Sequence, residues 1–214
     1  MSEITITIDD RQISAREGDI LLWAALDNGV YIPHLCAHRE EEHPSASCRL
    51  CFVEMQGRPM PVPACTVKVA DGMVVSTRSE RVDALVAAGF ELIMSNHRLD
   101  CKNCAANGSC ELQRIAKERK LRLKPKNLPA LERDLPVDSS AAGILYDPGK
   151  CVLCGHCVLA CRSSGRGILG FTRRGYERIV TTFGDAPLGE SGCDSCGACA
   201  GACPVGAFST RKAR

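Results

Sequence analysis

Fifteen of the 214 residues are cysteine, and most fall in tight, regular runs. One spacing occurs twice near the C-terminus: Cys151-x-x-Cys154-x-x-Cys157-x-x-x-Cys161 and Cys193-x-x-Cys196-x-x-Cys199-x-x-x-Cys203. Upstream stand Cys36, Cys48, Cys51 and Cys65, then Cys101, Cys104 and Cys110. Aromatics make up only 4% of the chain, and the hydrophobic 45% is partly cysteine, so a conventional core is thin. Small domains of this composition need metals or disulfides to hold them. Disulfides fit badly, because the cysteine count is odd and residues 1–8 alternate like a strand instead of resembling a signal peptide. The expectation is a chain that is not exported and meets a reducing cytosol, where thiols persist and bind metal. No apolar run approaches the length of a membrane span.

The first quarter reads as a small mixed sheet over residues 1–78. Residues 3–8 alternate apolar and polar, Asp9-Asp10 can turn, and 11–15 return as a second strand. An amphipathic helix from Ile20 to Leu26 stops at Asn28-Gly29. Strand-like segments follow at 51–55, around 66–69 and at 73–77, with Asp71-Gly72 as a hairpin signal. The cysteines here are spaced C-x11-C-x2-C-x13-C. Cys48 and Cys51 are expected to grip one metal edge while Cys36 and Cys65 close the cage. Four cysteines also suit a tetrahedral zinc ion.

Thr77-x-x-Glu80 can form a capping box. It opens a helix whose stripe of Val82, Leu85, Val86, Phe90, Ile93 and Met94 runs to about Ser95. His97 lies just beyond, giving H-x3-C-x2-C-x5-C with Cys101, Cys104 and Cys110. A histidine beyond a helix is commonly a surface or capping residue. Three neighbouring cysteines change its standing, since three thiolates leave a four-iron site one ligand short. The second segment is taken as residues 79–125. It ends in a helix and a basic stretch from Glu111 to Lys126, for which a solvated face and a docking surface for an acidic partner are both readings. Pro125, Pro129 and Pro136 then mark residues 126–143 as a linker or surface-hugging arm. The final domain is taken as 144–214, with an inserted hairpin formed by 168–171 and 178–183.

The duplicated run, ending in Cys203-Pro204, resembles the bacterial two-cluster ferredoxin motif, in which the fourth cysteine of each run ligates the other cluster. That resemblance implies one [4Fe–4S] cluster on Cys151, Cys154, Cys157 and Cys203, and another on Cys193, Cys196, Cys199 and Cys161. Arg162 stands where the first run would have its proline, which leaves the ligand set intact. The N-terminal loop is similar to that of plant-type [2Fe–2S] ferredoxins, with a first gap of eleven residues instead of four. The longer gap resembles that of the complex I iron–sulfur subunit and of [FeFe] hydrogenases. The same families carry the histidine pattern as a [4Fe–4S] site held through one imidazole, which implies His97 as ligand. Imidazole in place of thiolate makes such a cluster less negative and easier to reduce. His34, His38, His43 and His156 are left as solvated or neighbouring residues.

The whole order is similar to the iron–sulfur portion of the complex I large peripheral subunit, [FeFe] hydrogenases and NAD-dependent formate dehydrogenases. Because the sequence stops at Arg214, the resemblance is nearest to the diaphorase iron–sulfur subunit of soluble NAD-reducing [NiFe] hydrogenases. It implies an α+β chain with a ferredoxin-like mixed sheet, a small helical histidine-ligated domain and a two-cluster ferredoxin domain. One [2Fe–2S] and three [4Fe–4S] clusters would relay electrons, with no catalytic residues on this polypeptide. The implied partners are a flavin- and NAD(P)-binding subunit and a hydrogenase or formate dehydrogenase catalytic subunit, in the cytoplasm. A stand-alone multi-cluster carrier is the alternative. With clusters bound, the formal charge of +2 becomes about −5. That balance does not suggest nucleic-acid binding. Gly165-Arg-Gly167-Ile-Leu-Gly170 fits a dinucleotide fingerprint by chance, for no βαβ unit surrounds it.

Overall fold

The computed structural model describes residues 2–211 except Glu132, in two units divided after Phe90. In the first unit β1 (Glu3–Ile8) and β2 (Arg11–Arg16) pair antiparallel, with Ile4 opposite Ala15 and Ile6 opposite Ile13. Both residues of their two-residue loop, Asp9 and Asp10, have positive φ (48° and 63°), as a type I′ turn requires. Strand alternation puts Ile4, Ile6 and Ile8 into the core beneath α1 (Leu21–Asp27), where they meet Leu21, Leu22, Ala24 and Ala25. The Asn28 side chain donates to the Ala24 carbonyl and Gly29 turns at φ 75°, so the helix stops where the sequence indicates.

Three further strands complete a mixed five-stranded sheet: β3 (Phe52–Met55), β4 (Val62–Pro63) and β5 (Val74–Ser76). The order is β2-β1-β5-β3-β4, with β5 parallel to β1 and antiparallel to β3. Two expectations are corrected. Residues 66–69 form no named strand and no hairpin with β5, because their backbone is engaged elsewhere: Leu21 N donates to Val67 O and Val69 N to Asp19 O. Asp71-Gly72 still turns, but it delivers the chain to the slot between β1 and β3. The helix α2 (Glu80–Asn96) is capped by Ser79, whose hydroxyl accepts from Val82 N at 3.1 Å. Thr77 is drawn away from that role by Asp9, whose carboxylate accepts from its backbone N–H at 2.7 Å.

In the second unit, α3 (Glu111–Arg119) ends at Lys120 in the left-handed conformation. Two strands, β6 (Ile144–Tyr146) and, near the end of the chain, Phe208–Thr210, pair antiparallel and stack Tyr146 on Phe208 at 4.2 Å. Between them lie α4 (His156–Ser163), a hairpin of β7 (Gly170–Thr172) and β8 (Ile179–Thr181), and α5 (Ala198–Ala202), which leads into β9 (Phe208–Thr210). The hairpin falls where the sequence places it, shortened at both ends. Gly165 and Gly167 sit past the C-terminal end of α4, their N–H groups bonding Arg162 O and Cys161 O, so the glycine pattern opens no helix.

The proline-marked stretch is pinned along its length. Lys126 N and Asn127 N donate to Glu91, Leu131 N donates to Ser95 O at 2.6 Å, and Asp138 exchanges two 2.8 Å backbone bonds with Tyr146. It behaves as an arm laid on the unit. No helix among the described residues is long and apolar enough to cross a membrane.

Candidate metal centres

The duplicated cysteine spacing produces duplicated backbone. Cys154 is flanked by Leu153 and Gly155 at φ 56° and 86°; Cys196 is flanked by Ser195 and Gly197 at φ 60° and 78°. Each glycine is the N-cap of a helix, α4 or α5, whose first turn carries the third cysteine of its run. In the first run this turn lets Leu153 N donate to Cys151 Sγ at 3.4 Å, a contact suited to an anionic thiolate. Cys157 feels the charges of Cys151, Cys154, Cys203 and, after these, Cys199, the last two from the other run. Cys161 lines a cavity with Cys193, Cys196 and Cys199, and its charge is felt at Cys199. The fold therefore sets Cys161 beside the first three cysteines of the second run, and Cys203 beside Cys151 and Cys157 of the first.

Burial dominates the acidity of Cys151, Cys157 and Cys199. It pushes Cys151 and Cys199 each up to about 11, and Cys157 up as well. Thiolate is the metal-binding form, so loading these sites with metal releases protons and offsets the desolvation cost.

His97, Cys101, Cys104 and Cys110 line one further cavity, beside Lys150 and Val205. His97 is 7% exposed, and burial lowers its pKa, which keeps the ring neutral. Its Nδ1 lies 3.0 Å from the Lys150 carbonyl oxygen. A carbonyl only accepts, so Nδ1 carries the proton and Nε2 keeps its lone pair for a metal. This is the orienting contact that metal-bound histidines characteristically make. Lys150 is held in turn: Asp147, 5% exposed, accepts from Gly149 N at 3.1 Å and pairs with Arg98 and, at 3.5 Å, with Lys150 Nζ. Arg98 N donates to Gly149 O at 2.7 Å. None of Lys150, Asp147 or Arg98 is distinguishable in sequence from ordinary surface charge.

The remaining four thiols pair differently from the sequence expectation. Cys36 and Cys48 are hydrogen-bond neighbours, as are Cys51 and Cys65; Cys48 N also donates to Cys36 Sγ at 3.4 Å. Cys48 and Cys51 thus fall in opposite pairs, with Arg49 between them turning at φ 55°, and Cys48 still feels the charge of Cys51. The Cys48 thiol holds Cys36 down at about 4, helped by Ser47 and Ser45, while Cys48 is pushed up by the same partner. The loop is seated from behind by Gly89 of α2. A Cβ there would stand 2.9 Å from Arg49 O, so only glycine admits this approach.

Among the described residues, no three His, Cys, Asp or Glu groups converge as ligands of a single ion do. Two of the groupings above instead line cavities and the N-terminal four thiols form two facing pairs, which suits ligands to a centre several atoms wide.

Three family models match in succession: a 2Fe-2S iron-sulfur cluster binding domain over residues 1–80, the NADH-ubiquinone oxidoreductase-G iron-sulfur binding region over 89–122, and a 4Fe-4S dicluster domain over 150–207. The chain is 36% identical over 97% of its length to the NADP-reducing hydrogenase subunit HndD of Solidesulfovibrio fructosivorans, of which it spans 36%. It is 34% identical over 96% of its length to an NADH-quinone oxidoreductase chain of Rhizobium meliloti, spanning 24% of that protein. It thus covers about a third or less of these curated relatives. A chain in the crystal structure of NAD+-reducing [NiFe]-hydrogenase in the H2-reduced state superposes with a TM-score of 0.87 at 31% identity, covering 98% of this chain and 88% of that one.

Proposed function

Because the chain belongs to the family of the diaphorase iron–sulfur subunit of NAD-reducing [NiFe] hydrogenase, related to the N-terminal iron–sulfur region of the complex I large subunit, we propose that it is the electron relay of a cytoplasmic complex. It carries [2Fe–2S] and [4Fe–4S] domains and functions as an iron–sulfur electron-transfer subunit. Our reading assigns one [2Fe–2S] cluster to Cys36, Cys48, Cys51 and Cys65. It assigns three [4Fe–4S] clusters to His97 with Cys101, Cys104 and Cys110, to Cys151, Cys154, Cys157 and Cys203, and to Cys193, Cys196, Cys199 and Cys161. The N-terminal sheet is then a plant-type ferredoxin-like domain and the C-terminal repeat a bacterial two-cluster domain. Bound clusters of these types supply one-electron transfer without bond chemistry.

The observation that carries the relay reading is the contact between cages. His97 Nδ1–H donates to the carbonyl of Lys150, whose next residue is Cys151. Cys104 Sγ lies 3.9 Å from Val205 O, two residues past Cys203. The histidine cage therefore adjoins the Cys151 grouping, and the crossing of Cys161 and Cys203 joins that grouping to the last one. A stand-alone carrier has no need of such a continuous series.

In this reading one end serves a flavin- and NAD(P)-handling subunit and the other a hydrogenase or formate dehydrogenase catalytic subunit. Anaerobic purification from the native host tests it. The expected result is co-elution with a flavoprotein, and reduction of the clusters by NADH or NADPH only while that flavoprotein is present. A chain that elutes alone and exchanges electrons equally well with unrelated ferredoxin partners contradicts it.

A further inference from the structure

The pinned arm carries a group that no cluster motif accounts for. Arg133 projects from it into the second unit, where its planar guanidinium lies 5.3 Å from the centre of the Tyr176 ring and its Nη2 donates to Arg178 O at 3.2 Å. Tyr176 is itself fixed to the arm by a hydrogen bond from its hydroxyl to Leu131 O. The other nitrogen, Nη1, is buried and has no hydrogen-bond partner among the described residues. A buried charged donor without an acceptor costs more than an ordinary hydrogen bond returns, so such an atom needs an explanation.

The surroundings point to one. Arg178, whose carbonyl holds Arg133, lies two residues from Val180, whose carbonyl accepts from the Tyr146 hydroxyl at 2.8 Å. Tyr146 is buried against Cys151, to which it is a hydrogen-bond neighbour. The positive charge of Arg133 reaches the same thiol, acting against the burial that pushes Cys151 up. Arm, hairpin and first cysteine run thus converge on one side of a single cage.

We propose that Arg133 is a donor to the cluster held by Cys151, Cys154, Cys157 and Cys203, its Nη1 hydrogens satisfied by sulfur of that centre. The inference rests on the four-cluster reading above. A guanidinium so placed stabilises the reduced, more negative state of that cluster and raises its potential relative to the other three. It also gives the arm a purpose beyond spacing, since Tyr176 and the Leu131 carbonyl hold the arginine where it acts.

The test is potentiometric titration followed by electron paramagnetic resonance on the full-length holoprotein, comparing the parent with Arg133→Gln and Arg133→Lys. In Arg133→Gln the reduction equilibrium of one [4Fe–4S] cluster moves roughly tenfold toward the oxidised form, the order expected for loss of one charge-assisted hydrogen bond. For a one-electron couple that is about 59 mV. Arg133→Lys, which keeps the charge but loses the planar fork, falls between the two. The other three clusters keep their potentials. An unchanged potential in Arg133→Gln, or an equal shift of every cluster, overturns the proposal. Should Arg133→Gln fail to assemble, Arg133→Lys decides: a lowered potential supports the assignment and the parental value overturns it. Absence of the cluster from the parent protein would instead count against the four-cluster reading itself.

Discussion

Gly206 is the residue at which the account is most exposed to a single added methyl group. It turns at φ +74°, and a Cβ built on it stands 2.9 Å from Cys104 Sγ, 2.9 Å from Ala106 Cβ and 3.3 Å from Ala106 N. The left-handed backbone alone makes alanine unfavourable by about 1–2 kcal/mol. Overpacking adds about 1–3 kcal/mol, giving about 2–5 kcal/mol together. The strain has no soft outlet. Ala106 lies in a loop closed by bonds from Asn107 N to Cys104 O and from Ser109 N to Ala106 O, at 3.0 and 2.9 Å. Displacement therefore falls on Cys104, a ligand of the proposed histidine-bearing centre. Gly206→Ala is expected to lose that cluster selectively, lowering iron from about 14 to about 10 per chain and removing one paramagnetic signal. Gly170→Ala is the matched control, since its position lies outside the left-handed region and has open space around it. Full iron content with four unaltered signals in Gly206→Ala would refute the reasoning.

Gly89→Ala should disturb the [2Fe–2S] signal while sparing the other three, because its Cβ meets Arg49 O at 2.9 Å and backbone between two ligands must yield; an unaltered spectrum removes Gly89 from the seating of that loop. His97→Ala should abolish or alter the second cluster alone. His97→Cys should retain it at a lower potential, since a thiolate adds negative charge where a neutral imidazole stood; a raised potential would contradict the ligand assignment. Cys203→Ser should damage the cluster of the Cys151 run and Cys161→Ser that of the Cys193 run, as read by site-resolved magnetic spectra. Damage confined to each cysteine's own run would rule out the crossing.

The parts of this molecule that repeat locally are legible in the sequence. The duplicated spacing of the two runs, through its likeness to two-cluster ferredoxins, implies the crossed grouping of Cys161 and Cys203. Alternation at Ile4, Ile6 and Ile8 marks the first strand, and Asp9-Asp10 its turn. What is not legible depends on contacts between distant segments. The backbone of 67–69 is claimed by Asp19 and Leu21, so propensity for a hairpin counts for nothing there. Thr77 has the right spacing for a cap, but Asp9, sixty-eight residues away, offers its backbone and side chain a carboxylate. The pairing of Cys36 with Cys48 joins residues twelve positions apart, beside a left-handed Arg49, a conformation that no sequence rule assigns to arginine. Lys150, Asp147 and Arg133 act through a carbonyl, a buried ion pair and an orphaned N–H, none of which leaves a motif.

Metal analysis of the anaerobically purified chain tests the central claim most directly. One [2Fe–2S] and three [4Fe–4S] clusters require about 14 irons and about 14 acid-labile sulfides per chain, with zinc near zero. A protein dominated by zinc, or poor in iron under those conditions, would contradict the relay.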